Sequence, residues 1–323
     1  MSALAGTVKG WFREIVADWD RFWFTPVDPA TLSLIRVFAG AMLLYTHGVW
    51  SLKLESFFGA DGWLMPDAVH EFHREMHTWS YFWWLRTPGQ LWGAHLAAIV
   101  VFAMLTVGLF SRVVAPLAAI ATLSYIQRVP GALFGLDQIN ALLAIYLCLG
   151  PCGARYSFDH WLAKRRGVGL VAVEPSIAAN IAIRLIQLHM CVIYLFAGTS
   201  KLMGLAWWNG FAMWLALGNY EYQSLDMTWL AHWPRTVSLL SHVTIFWETF
   251  YCLLIWSKRW RPVMLILAIL LHMGIAICLG MMTFGLVMLI GNLAFVSPLL
   301  VQRMLAGRGG AVAPQSRADL EGA

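Results

Sequence analysis

The chain has 323 residues, of which 60% are hydrophobic and only 12% are charged. Soluble domains are about one quarter charged, so this composition excludes a protein that faces water on all sides. The net charge of +5 includes no long basic arm, so we expect a lipid membrane and no nucleic acid as partner.

The first 28 residues predict an amphipathic helix at the membrane surface. Apolar side chains recur there at helical spacing, with charged side chains between them. Such a helix lies in the headgroup plane with its apolar face toward lipid. The apolar set comprises Trp11, Phe12, Ile15, Val16, Trp19, Phe22 and Trp23.

Eight apolar segments follow, and we expect each to cross the bilayer as a helix. A span needs about 20 apolar residues, and a helix satisfies its backbone hydrogen bonds internally, as lipid requires. The sequence therefore predicts an all-α polytopic membrane protein, with a membrane domain at 29–303 and a disordered tail at 304–323. The spans lie near 31–50, 90–111, 113–128, 133–150, 178–199, 237–257, 262–280 and 282–300.

The basic residues predict the orientation of these spans. With eight crossings, most of the 22 lysines and arginines lie on the side that holds both termini. The positive-inside rule then places both termini in the cytoplasm. The loops 51–89 and 200–236 and the start of the fourth span lie on the outer side.

Three histidines of the outer loop are a weak candidate for a metal site. His70, His73 and His77 would share one side of a helix, and three imidazoles can bind zinc. Glu71 and Arg74 indicate a solvated amphipathic helix instead, so we expect no metal there.

Polar residues also open the fourth span. Asp137, Gln138 and Asn140 follow a Pro-Gly turn. They either cap the N-terminus of the helix or line a cavity on the outer side.

The fifth span carries a polar stripe. Its members are three or four residues apart, so they share one helical face and should point into the bundle. The stripe either packs helices together or lines a cavity that is open to the outer side. It consists of Arg184, Gln187, Cys191, Tyr194, Gly198 and Lys201.

Lys201, at the outer end of this stripe, has two interpretations. A lysine in an apolar pocket loses its proton more easily and can then act as a general base. Alternatively, it reaches toward lipid headgroups beside Trp207 and Trp208.

Other polar groups lie within later spans, where insertion is costly. Glu248 is the only acid in the middle of a span, and we expect a structural ion pair with Arg36 or Arg184. His272 and Asn292 are either hydrogen-bonded packing residues or part of the cavity.

Several segments resemble one known family. AGTSKLMGLAWWNG (Ala197–Gly210) is similar to the stretch of the vitamin K-dependent gamma-carboxylase family that carries its catalytic lysine. Ile35–Gly40, Leu142–Leu162 and His272–Leu289 resemble further segments of that family in the same order. Among its relatives, bacterial proteins with an HTTM (horizontally transferred transmembrane) domain are the more similar group.

This resemblance implies a quinol-dependent membrane enzyme. The family deprotonates reduced vitamin K with a lysine, oxygenates the hydroquinone, and uses the resulting base to carboxylate glutamate. Lys201 matches the lysine, and His272 matches a late histidine near the quinone pocket. The implied cofactor is a reduced, vitamin K-like quinone, and the implied location is a bacterial cytoplasmic (inner) membrane.

The chain departs from the animal enzymes at several points. Ser200 stands where they have a second lysine, and Gly135–Gln138 replaces an Asn-His pair. The large lumenal domain that binds the protein substrate has no counterpart after the eighth span. We therefore do not expect carboxylation of protein glutamates.

Three functions remain open from the sequence. The first is a quinol- or lipid-dependent enzyme with Lys201 as base, whose reaction would be that of a carboxylase or of a quinol-oxidising lyase. The second is a non-enzymatic scaffold that binds a partner protein or a lipid. The third is a small-molecule transporter, although paired broken spans are not evident.

Overall fold

The computed structural model describes residues 2–74, 78–166 and 173–306, and for residues 2–9 it describes the backbone alone. These residues are predominantly helical, with no β-strand among them beyond one bridge between Val27 and Ser176. The prediction of an all-α protein is confirmed for this part of the chain.

Helices occupy all eight segments that the sequence predicted as spans, and shorter helices lie between them. In chain order the helices are α1 (Ser2–Phe24), α2 (Ala30–Trp50), α3 (Leu54–Phe58), α4 (Pro66–Phe72), α5 (Pro88–Val107), α6 (Ser111–Arg128), α7 (Gly135–Leu147), α8 (Phe158–Arg165), α9 (Ile177–Leu202), α10 (Leu205–Trp208), α11 (Ala212–Leu217), α12 (Pro234–Leu254), α13 (Arg261–Cys278), α14 (Met282–Asn292) and α15 (Pro298–Ala306). Single 3-10 turns lie at Ser51–Lys53, Tyr81–Trp84, Pro130–Ala132, Thr228–His232 and Leu293–Phe295.

Within the described residues, five helices are long and apolar enough to cross a membrane. They are the run Ala30–Phe58, which contains α2 and α3, and helices α5, α9, α12 and α13. Helix α7 is apolar but has only 13 residues. The structure therefore supports a membrane protein with at least five candidate spans.

The segment predicted as a span at 282–300 is a bent pair of helices and not one straight helix. Helix α14 ends at Asn292, and α15 begins at Pro298 with its axis bent by 114°. Proline lacks a backbone N–H and its ring clashes with the preceding turn, so a straight helix cannot run through this position. The two helices together would make a sixth span.

Helix α1 is attached to the bundle by its C-terminal end. Asn180 of α9 donates from Nδ2 to the carbonyl oxygens of Phe22 and Trp23, at 2.8 and 3.0 Å. The apolar face nearer its start is not covered by protein, since Trp11 and Trp19 are 63% and 60% exposed. This helix therefore has an apolar face that is available to lipid.

Arg36 holds α2 to the end of α5 and to the loop after α7. This fully buried side chain donates from Nη1 to the carbonyl oxygens of Leu105 and Thr106, at 2.9 and 2.7 Å. It also donates from Nε to Cys152 and from Nη2 to Tyr156, at 3.2 and 2.6 Å. The last carbonyls of a helix have no partner within the helix. Arg36 supplies a donor for Thr106, and it adds a second donor for Leu105, which also accepts the Gly108 N–H at 3.2 Å.

A second contact fixes the same loop to the start of α2. The Asp28 carboxylate accepts the backbone N–H of Ala30 at 2.9 Å and the Arg155 Nε–H at 2.8 Å. The backbone N–H of Arg155 donates to Ser33 Oγ at 3.2 Å. One end of the bundle is thereby closed by buried polar contacts.

The other end of the bundle is covered by the long segment between α2 and α5. Arg128, the last residue of α6, is buried and donates to the carbonyl oxygens of Leu64 and Gly59 at 2.8 and 3.0 Å. Ser80 Oγ donates to the carbonyl oxygen of Ser124 at 2.8 Å. These bonds hold the segment on the end of α6.

The segment between α9 and α12 covers the first half of α12. Ser241 Oγ donates to the carbonyl oxygen of Gly210 at 3.2 Å, and His242 Nε2 lies 3.2 Å from the carbonyl oxygen of Trp208. A small apolar cluster completes this packing, with Leu217, Leu230 and Val237 at its centre.

We expect Arg36→Lys to destabilise the protein. A lysine carries its three donors on one nitrogen, so it cannot reach the carbonyls that the planar guanidinium joins. Each buried carbonyl left without a donor costs about 1–3 kcal/mol, and the midpoint of thermal unfolding in detergent should fall by several degrees. Arg112→Lys, at an exposed position of α6, is the matched control. Equal midpoints for the two variants would contradict the role of Arg36.

Candidate functional site

The polar stripe of α9 faces the interior of the bundle. Gln187, Cys191, Tyr194 and Gly198 are buried. Lys201 retains 24% exposure of its side chain. At Gly198, a Cβ atom would lie 2.6 Å from the backbone nitrogen of Thr249. This glycine therefore allows α9 and α12 to approach closely, one turn before Lys201.

Lys201 forms an ion pair with Glu248 of α12. The Nζ and Oε2 atoms are 2.6 Å apart, and the Glu248 side chain is only 8% exposed. Nζ also lies 5.4 Å from the centre of the Trp207 ring, within the range of a cation–π interaction. Lys201 thus points toward a buried carboxylate under an indole, which differs from the interpretation of a free cation among headgroups.

The expected pairing of Glu248 with an arginine is wrong. Arg36 uses its donors on backbone carbonyls. Arg184 donates to the Gln187 amide oxygen at 3.0 Å and to the carbonyl oxygen of Phe22 at 3.3 Å. Arg184 also lies about 25 Å from Lys201 along α9, so Lys201 is the cation that Glu248 can reach.

A buried hydrogen-bonded chain runs beside this ion pair. His272 Nε2 lies 2.7 Å from the Tyr194 hydroxyl oxygen, which also accepts from Asn292 Nδ2 at 2.8 Å. The Tyr251 hydroxyl donates to Asn292 Oδ1 at 2.6 Å. Side chains from α9, α12, α13 and α14 therefore meet in one network.

Sequence analysis selected three members of this network and missed Tyr251. A signal was present, because Tyr251 follows Glu248 by three residues and so shares its helical face. A hydroxyl on the face that carries a buried acid is itself a candidate for the interior.

The Lys201–Glu248 ion pair and the hydrogen-bonded chain are neighbours. The Tyr194 ring centre lies 4.8 Å from that of Trp247, which precedes Glu248. Tyr194 and Lys201 lie two turns apart on α9, and Glu248 and Tyr251 lie one turn apart on α12. We name this group the polar site, and define it as Lys201, Glu248, Tyr194, Tyr251, His272 and Asn292.

The predicted polar residues of the fourth span lie elsewhere. Asp137 Oδ2 accepts the backbone N–H of Phe134 at 2.9 Å, so it caps α7, which is one of its two expected roles. Asp137 and Asn140 line a cleft between α2, α6 and α7 that does not include Lys201. Gln138 is exposed. These side chains therefore do not share a cavity with the polar stripe of α9, contrary to one of the two expectations.

The cleft between α2, α6 and α7 contains histidines that sequence analysis did not select. His47 lines it, and the His47 ring centre lies 4.3 Å from that of Phe102. Behind it, His95 contacts the Tyr125 hydroxyl at 2.6 Å through Nδ1 and Ser51 Oγ at 2.7 Å through Nε2. The available signal was that both histidines interrupt apolar segments.

Two of the three histidines of the candidate zinc site, His70 and His73, contact other groups instead of each other. His73 Nε2 lies 3.1 Å from the carbonyl oxygen of Gln127, and the His70 ring contacts the Trp83 ring at a centre-to-centre distance of 4.3 Å. His77 lies outside the described residues. Within the described part of the chain, no three His, Cys, Asp or Glu side chains come together in a way that suits a metal ion.

Comparison with known protein families, with curated proteins and with solved structures gave no match. The resemblance to the gamma-carboxylase-like group thus rests on the sequence segments alone. The chemistry of the polar site is the independent basis for a function.

We expect the ion pair to show coupling in a double-mutant cycle. Glu248→Gln leaves Lys201 beside a neutral group in a largely apolar region and should cost about 2 kcal/mol. Lys201→Met in the same chain removes the unpaired charge and should restore part of that loss. Thermal unfolding of both single variants and the double variant measures the coupling. Strictly additive shifts would contradict an energetically significant pair.

Proposed function

We propose that the protein is a membrane enzyme that removes a proton from a hydroxyl group of a quinol or similar lipid-like substrate, with Lys201 as the base. The observation that carries this proposal is the Lys201–Glu248 pair, 2.6 Å apart and mostly shielded from solvent. Few groups in a membrane domain are placed to exchange a proton, and such groups are functional candidates.

The pair supplies a neutral amine without a net change in charge. A proton that moves from Lys201 Nζ to Glu248 Oε2 converts the ion pair into an amine and a carboxylic acid. Low polarity favours the neutral form more than water does. The amine then accepts the substrate proton as the O–H bond breaks and a new N–H bond forms.

The surroundings of the pair suit a flat, apolar substrate. Trp207 lies over Lys201, and the ring of Trp247, the residue before Glu248, packs against the Tyr194 ring. Aromatic rings stack with other rings at favourable geometry. Together with the Lys201 motif, this favours a reduced quinone of the vitamin K class over a polar solute.

We further propose the arrangement that brings this site to the outer side. All eight apolar segments cross the membrane in this proposal, both termini are cytoplasmic, and α1 lies in the headgroup plane. The helices at every predicted span and the exposed Trp11 and Trp19 support it. The resemblance to HTTM-domain proteins suggests a bacterial inner membrane.

Labelling of single cysteines tests the orientation. Lys53→Cys and Lys164→Cys replace exposed residues on opposite predicted sides, in a chain whose five native cysteines are changed to alanine. A membrane-impermeant maleimide should label position 53 in intact cells and position 164 only after permeabilisation. The reverse pattern would contradict the proposed orientation.

Substitution of Lys201 tests the chemistry. Arginine keeps the charge but cannot be deprotonated in a protein, so Lys201→Arg and Lys201→Ala should both lower turnover by about 100-fold or more. The assay is oxidation of a short-chain 1,4-naphthoquinol under air by protein in liposomes. Lys53→Ala, an exposed lysine on the same proposed side, should leave turnover unchanged.

Two outcomes would redirect the proposal. Full turnover by Lys201→Arg would exclude a lysine base. Copurified small molecules that are identical in the wild-type and Lys201→Ala proteins, measured by mass spectrometry, would favour the scaffold that binds lipid or protein.

A further inference from the structure

We infer that Asn292 and Tyr194 are positioning residues that fix the His272 proton on Nδ1, so that His272 presents an N–H donor to an acceptor oxygen of the ligand. This inference rests on the proposed function for the identity of the ligand. The position of the proton follows from the hydrogen bonds alone.

The orientation of the Asn292 amide is the first step. Asn292 Nδ2 lies 2.8 Å from the carbonyl oxygen of Met288. A carbonyl oxygen only accepts, so the amide atom beside it must be the nitrogen. The second Nδ2 proton is donated to the Tyr194 oxygen at 2.8 Å. The amide oxygen is left to accept from Tyr251.

The direction of the next bond follows from this orientation. Because the Tyr194 oxygen accepts from Asn292, the Tyr194 hydroxyl proton is free for its other neighbour, His272 Nε2, at 2.7 Å. Nε2 then accepts. A neutral imidazole with an accepting Nε2 carries its proton on Nδ1.

A charged His272 would break this pattern. An imidazolium donates from both nitrogens. The Tyr194 oxygen would then accept from both Asn292 and His272, and the Tyr194 hydroxyl proton would have no acceptor within this hydrogen-bonded network. In the neutral Nδ1–H form, each of the three hydrogen bonds from Tyr251 through Asn292 and Tyr194 to His272 Nε2 has one donor and one acceptor.

The Nδ1–H group itself is left without a partner. The His272 residue is only 3% exposed, and Nδ1 has no hydrogen-bond acceptor among the described residues. The ring centres of Phe284 and Trp247 lie 6.2 and 6.4 Å away. A buried donor among aromatic rings is stabilised when an apolar ligand brings an oxygen to it.

The chemical class of the ligand follows. A carbonyl or phenolic oxygen on an apolar ring accepts this bond, and a phenolate formed by loss of a proton to Lys201 accepts it more strongly. An apolar molecule without such an oxygen leaves the donor unpaired and binds less well.

The test is the protonation of the His272 nitrogens, without any ligand. Protein labelled with ¹⁵N-histidine is measured in lipid bilayers by solid-state NMR, and His272→Gln identifies the His272 signals among the 10 histidines. The wild-type protein should show protonated Nδ1 and unprotonated Nε2. Asn292→Asp accepts from Tyr194 and should move the proton to Nε2.

Two phenylalanine variants form a matched pair. Tyr194→Phe removes the donor to Nε2 and should abolish the preference for Nδ1–H. Tyr251→Phe removes a hydroxyl of the same size one link further away, and the Met288 contact should still hold the Asn292 amide. This pair keeps the inference testable if Asn292→Asp fails to fold.

Binding of a short-chain 1,4-naphthoquinone gives the second readout. Tyr194→Phe should weaken the affinity by about tenfold. Tyr146→Phe removes the hydroxyl that lies 2.9 Å from His189 Nδ1, outside the polar site, and should leave the affinity unchanged. A wild-type Nε2–H form, the same tautomer in the Tyr194→Phe and Tyr251→Phe proteins, or equal affinities of the Tyr194→Phe and Tyr146→Phe proteins would overturn the inference. An active Lys201→Arg protein would contradict the proposed base but would not change the tautomer of His272. Failure of the proposed function and failure of this inference are therefore distinguishable.

Discussion

The arrangement of helices depends on one buried guanidinium. Arg36 lies inside α2 and donates to carbonyl oxygens at the end of α5 and in the loop after α7. Lipid offers no donors for such groups, so the sharp turns at this end of the bundle need a donor from the protein. With α2, α5 and α7 fixed there, the remaining helices pack around a common frame, and the segments at the opposite end can carry polar side chains inward.

The polar site is a consequence of close packing between α9 and α12. Gly198 removes the side chain that would hold the two helices apart at Thr249. Lys201 and Glu248 then meet, and Tyr194 reaches His272 and Asn292 from the helices behind. An acid–base pair and an oriented hydrogen-bonded chain lie side by side in an apolar setting. This combination is the basis of the proposed proton transfer from a ring-shaped, weakly acidic substrate.

The structure separates polar residues that the sequence had grouped together. Asp137 and Asn140 share a cleft with His47, whereas Lys201 and His272 belong to the polar site. Residues of the outer loops had been expected to surround one cavity, because they lie on one side of the membrane in the eight-span arrangement. The side of the membrane alone does not determine which helices are neighbours: α7 packs mainly against α6 and α14, whereas α9 packs mainly against α12.

The sequence by itself determined the helices and the face of α9 that turns inward. Those features depend on apolar length and a period of 3.6 residues, and both are local. It also determined that Glu248 needed a partner, because a buried charge is costly wherever it lies. Only the tertiary structure decided that the partner is Lys201 rather than an arginine, that Tyr251 joins the network, and that the last helix pair is bent by as much as 114°. Partners across helices depend on crossing geometry and on distances of a few ångströms, which no periodicity within one chain segment encodes.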